Sequence, residues 1–176
     1  MIRAIIIAVL ILFVALPFAN AQESQRASAP TVFQAEEPFA HPVAIRDDVL
    51  AALKKDERTL GCLKNHEKPD EVTAAWFSAT EVDLHHGAAS GLIVKAENPC
   101  LFGANIIPFW VFSRGSNGYA LVLRTDALSV ELLNTWTNNY RDIRASAATA
   151  REVLTADYRF KDGRYQRVRN PRTPIR

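Results

Sequence analysis

Residue type and spacing suggest three kinds of chemistry in this chain. The first is metal binding, because Asp83, His85 and His86 lie close together, with His41 and His66 the remaining histidines. Adjacent residues of a strand point to opposite faces, so both imidazoles converge only in an irregular loop. A third ligand would have to come from a remote segment, and the expected reading is a solvated turn with no metal. The second is zinc proteolysis at His66-Glu67-Lys68-Pro69-Asp70. The fifth position of H-E-x-x-H is Asp here, and Pro69 interrupts the helix that would align both ligands. The third is acyl transfer at Gly87-Ala88-Ala89-Ser90-Gly91. Its serine stands fourth rather than third, so there is no nucleophile elbow. No phosphate loop or dinucleotide fingerprint occurs, and no cofactor is expected. A site assembled from distant residues stays open, since catalytic constellations are defined in space.

The stretch Thr135-Trp136-Thr137-Asn138-Asn139-Tyr140-Arg141-Asp142 is a better candidate for recognition. It interleaves two aromatics with amides, hydroxyls and fixed charges. Trp136, Asn138, Asn139, Tyr140, Arg141 and Asp142 are the expected ligand-binding residues: aromatics stack on a sugar or anchor a protein, and the polar groups set orientation. The competing reading is a turn whose aromatics tuck into the core. The chain carries 21 Lys and Arg against 19 Asp and Glu, a formal charge of +2. The last thirteen residues hold five Arg and no acid. That end offers a polyanion attraction without shape, or it is simply a solubilising terminus.

A resemblance adds to this. Asp83-Leu-His-His-Gly-Ala-Ala-Ser-Gly-Leu-Ile-Val94 resembles a degraded calcium-binding turn of FG-GAP and VCBS-type repeats, D-x-N-x-D-G-x-x-D followed by an apolar strand. Position by position, Asp83 keeps a carboxylate, while His85, Gly87 and Gly91 stand where the other ligands would be. Calcium takes six to eight oxygens, so the resemblance implies a relic that holds no calcium. The run from Asn98-Pro-Cys-Leu101 to the C-terminal Tyr158-Arg-Phe-Lys-Asp-Gly-Arg-Tyr165 is also similar to small exported bacterial proteins, a kinship that names no activity.

The elements that would position these residues follow from pattern. Arg3 precedes an apolar run over 4–16, Pro17 breaks it, and Ala19-Asn20-Ala21 offers a cleavage site, which reads as a signal peptide over 1–21. The run falls short of the ~20 apolar residues that span a bilayer, so no stable membrane anchor is expected after cleavage. Residues 22–44 read as a flexible leader, 45–168 as a single domain and 169–176 as a basic tail. Cys62 and Cys100 form an isolated pair in an exported chain, and hence a disulfide.

Residues 44–58 read as one helix, with Ile45, Val49, Leu50 and Leu53 on a stripe and Gly61 as its stop. Pro69-Asp70-Glu71 could open a second helix. Strands are expected over 77–84, 91–96, 128–133, 141–148 and 152–160. A hairpin over 108–124 turns at Gly115-Ser-Asn-Gly118, where Asn117-Gly118 accepts positive φ. Both of its faces are apolar, so each needs a cover, and the 44–58 helix could supply one. Asp162-Gly163 marks a further turn. The Ala-rich 142–156 is compatible with helix, but Ile143, Ala145 and Ala147 alternate with polar neighbours and favour strand.

The expected fold is therefore α+β, an N-terminal helix packed on a mostly antiparallel sheet with one disulfide. The expected function is a non-catalytic exported binding protein of the periplasm or cell surface, either an envelope-polymer binder or an inhibitor of an envelope-active enzyme. Its partners would be an envelope protein or polysaccharide, with no nucleic acid. The alternative is a small secreted hydrolase with a spatially assembled site.

Overall fold

The computed structural model describes residues 31–64, 72–85, 89–104, 106–169 and 172–174. The signal segment, the Pro69-Asp70-Glu71 helix start, His66 and His86 lie outside them. The architecture is mostly β rather than α+β. Among the described residues eleven strands form two antiparallel sheets, and the α-helices are two short pieces on one side, with two single 3-10 turns besides. One sheet holds β2 (Pro42–Val43), β3 (Phe77–Val82), β4 (Gly91–Ala96), β5 (Ile107–Gly115) and β6 (Gly118–Ala127), in that order. The second runs β1 (Thr31–Gln34), β7 (Ser129–Thr137), β8 (Tyr140–Ala148), β9 (Glu152–Lys161) and β10 (Arg164–Arg169), with β11 (Arg172–Pro174) also on β9.

The β5–β6 hairpin explains the second sheet. Its residues are apolar on both faces, and period-two alternation sends them to two separate cores. Trp110 and Phe112 join Leu92 and Val94 of β4 in a core shared with the helices. Phe109 and Val111 join Ile93, Val130, Leu132 and Ile143 in a core between the sheets. The helices thus cover one face, and strands 129–169 cover the other. Residues 142–156 lie in β8 and β9, joined by a short turn.

The single helix expected over 44–58 is two: α1 (Asp47–Leu53) and α2 (Glu57–Lys64). Asp56 restarts the helix, its Oδ1 accepting from Arg58 N at 3.0 Å as an N-cap does. Gly61 falls inside α2 instead of ending a helix. Val49 and Leu53 of the expected stripe are buried, with Ile45 and Leu50 packed beside them.

The hairpin turn sits where its Gly residues place it, with Gly118 at φ +107°. A Cβ there would also meet Asp48 Oδ2 at 2.6 Å and push that carboxylate aside. That carboxylate accepts from Tyr119 N at 3.0 Å and ties α1 to β6. The Tyr119 bond is the main cause of an Asp48 acidity greater than usual, against a desolvation cost. Asp162 (φ +52°) and Gly163 (φ +79°) make the β9–β10 turn.

Two boundaries differ from the sequence reading. Residues 31–34 and 42–43, within the expected flexible leader, pair with β7 and β3. Residues 172–174 of the basic tail pair with β9. Cys62 and Cys100 are bonded, with Cα atoms 5.8 Å apart, joining α2 to the turn Pro99–Leu101. Such a bond belongs to an oxidising, extracytoplasmic environment.

Candidate functional site

The 135–142 stretch forms the tip of the β7–β8 hairpin, and most of its polar groups are engaged in structure. Asn138 and Asn139 occupy the turn at φ +51° and +65°, a conformation that Asn tolerates. Asn138 Nδ2 donates to Phe160 O at 2.8 Å. Tyr140 stacks on Phe160 with centroids 3.6 Å apart, and its OH pairs with Ser113 Oγ at 3.1 Å. Arg141 is 2% exposed. Its Nε donates to Leu133 O at 2.9 Å and its Nη2 to Leu132 O at 2.7 Å, across a bulge in β7. Burial lowers its pKa, partly countered by Asp83. Asp142 is buried and accepts from Thr135 Oγ1 at 2.8 Å. Trp136, at 42% exposure, is what the tip presents to solvent as a large apolar surface. Arg141 and Asp142 are therefore framework, not surface ligands.

The 83–90 loop is latched from within. Ser90 Oγ accepts from Leu84 N and His85 N and donates to His85 O, all within 2.9 Å. Asp83 Oδ1 accepts from Ala89 N at 2.8 Å. The His85 ring lies against Tyr140, 5.1 Å between centroids, with Nε2 at 3.4 Å from Arg114 O. Asp83 and His85 thus serve separate contacts. Among the described residues no group of three His, Cys, Asp or Glu is placed to hold a metal ion. Ser90, Ser113 and His85 are each committed to these bonds, and no nucleophile–base pair forms among them.

A concave feature of ligand size lies elsewhere among the described residues, at the end of the space between the sheets. It is an open cavity of about 910 Å³ with three irregular walls. The first is the segment 35–38 between β1 and β2. The second is the loop leading into β5, contributing Phe102, Gly103, Ile106 and Ile107. The third is the β8–β9 turn at 148–150. Each wall is tied down by a named contact. Thr149 holds the turn, its Oγ1 accepting from Arg151 N and Glu152 N. The disulfide fixes the second wall two residues before Phe102, and Arg58 Nε donates to Leu101 O at 3.3 Å. Phe102 is left 43% exposed.

Lys95 ties the first wall. It follows Ile93 on the inter-sheet face of β4 and is 3% exposed. Its Nζ donates to Glu37 O at 2.9 Å and Ala35 O at 3.1 Å, lies 3.4 Å from Glu97 Oε1, and sits 5.4 Å from the Phe39 ring centroid. The lining is otherwise mostly apolar. The pattern of a preformed apolar cavity with few polar groups is that of a small-molecule site. Sequence reasoning passed over it, although one signal was present: a lysine inside the otherwise apolar strand Gly91-Leu-Ile-Val-Lys-Ala96.

Comparison with protein-family models, with curated proteins and with solved structures finds no match to this chain.

Proposed function

We propose that this chain is a non-catalytic binding protein, exported to the periplasm or cell surface, that takes a small ligand with an apolar body into the cavity between the sheets. The carrying observation is the cavity itself. Its volume lies in the range of known ligand sites, and its three walls are fixed in advance by the disulfide, Lys95 and Thr149. Preorganised walls reduce the ordering cost that binding would otherwise meet. The apolar run and cleavage pattern at the N-terminus, together with the disulfide, support export.

A second reading keeps the β7–β8 tip as a contact for an envelope polysaccharide or protein, because Trp136 stays exposed there. Titration with Nile red, a neutral apolar dye, separates the two. The parent should bind the dye with a blue-shifted emission, and Ala148→Trp, which fills the cavity, should weaken binding by about ten-fold or more. Trp136→Ala should leave it unchanged. Loss of dye binding in Trp136→Ala with none in Ala148→Trp transfers the site to the hairpin tip.

A further inference from the structure

We infer that the ligand is a single-chain apolar monocarboxylate whose carboxylate takes the place of Glu97 against Lys95; this rests on the cavity being the binding site. An ammonium removed from water is costly unless an anion answers it. Lys95 is nearly fully buried, and two of its donors go to the neutral carbonyls of Ala35 and Glu37. Among the described residues its carboxylate partner is Glu97, at 3.4 Å on a side chain that is 43% exposed. Charge-assisted N–H···O bonds are ordinarily about 2.7–2.9 Å long, so this pair is loose. A ligand carboxylate can make the shorter contact while Glu97 returns to water.

The remainder of the ligand is set by what surrounds the ammonium. Phe102, Ile106, Ile107 and Leu128 offer a hydrocarbon chain an apolar bed. Glu36 also lines the opening, and with Glu97 it opposes a second negative charge. That disfavours phosphate esters and other dianions and selects a single carboxylate.

The test compares decanoate with decan-1-ol by calorimetric titration of the oxidised protein. Decanoate should bind at least about ten-fold tighter, the size expected for a hydrogen bond to a charged group. Lys95 also holds residues 35–37, so Glu97→Gln is the primary variant. By removing the competing carboxylate it should tighten decanoate several-fold and leave decan-1-ol unchanged. Lys95→Gln, if its melt matches the parent, should equalise the two ligands. Equal binding of acid and alcohol by the parent, or an unchanged ratio in Glu97→Gln, overturns the carboxylate assignment while the cavity stands. Failure of both ligands to bind the parent overturns the cavity reading and the assignment with it.

Discussion

The β7–β8 tip and the cavity between the sheets use opposite chemistry for opposite ends. The tip is rich in polar and aromatic side chains, yet Arg141, Asp142, Asn138 and Tyr140 are committed to backbone carbonyls, a neighbouring hydroxyl or a stacked ring. The cavity sets aliphatic and aromatic side chains beside Glu36, Lys95, Glu97 and Thr149. Its one buried charge holds a wall in place and still faces the open space. A polar-looking segment can therefore be spent on closing a bulged hairpin, while a site arises where irregular segments are tied back and leave apolar surface uncovered. Buried donors need acceptors, and for Arg141 the nearest are the Leu132 and Leu133 carbonyls of its own hairpin.

Cleaving the disulfide should have the largest effect and should strike the cavity. The loop it closes spans 38 residues, so Cys62→Ser/Cys100→Ser should lose about 4 kcal/mol in chain-entropy terms. Denaturant melts would measure the loss. Below the transition the variant should also bind Nile red more weakly, since the Phe102 wall is released. Unchanged dye affinity would show that the wall needs no tether.

Arg141→Met should come next and should strike only the framework. It strips partners from the buried Leu132 carbonyl and the part-buried Leu133 carbonyl, for a loss of about 2–3 kcal/mol. Ligand affinity of the folded fraction should not change. A variant of full stability that fails to bind would reverse the assignment of the two regions.

Tyr165→Phe should be the mildest, about 1 kcal/mol, because it deletes one buried bond from its OH to Arg141 O at 2.7 Å. Burial, reinforced by Asp142 and Tyr140, raises the phenol pKa well above its ordinary 10.0. The folded state therefore keeps a proton that the unfolded chain loses near pH 10. The corresponding stability is present below pH 10 and falls as pH rises above it. Stability measured across this range should drop more steeply in the parent than in Tyr165→Phe.

Local chemistry made part of this molecule legible in the amino-acid sequence. The β5–β6 hairpin, the Asp162-Gly163 turn, the strands of 141–160 and the Cys62–Cys100 bond each depend on residues whose periodicity, φ preference or thiol chemistry acts over short range or by simple pairing. The two apolar faces of the hairpin also announced that two covers were needed. What the second cover would be was decided by the tertiary structure, because a helix and a sheet bury a flat apolar face equally well.

The same holds for Thr31–Gln34 and Arg172–Pro174. These short segments show no pattern of their own, and what makes them strands is the row of N–H and C=O groups on a neighbouring strand. Burial of Arg141 and Asp142 likewise depends on a bulge that the sequence does not mark. The cavity exists only once residues 35–38, 102–107 and 148–150 meet, and Lys95 acquires its role from carbonyls some 60 positions away. Spatial convergence of distant segments has no local signature, so the site belongs to the folded chain alone.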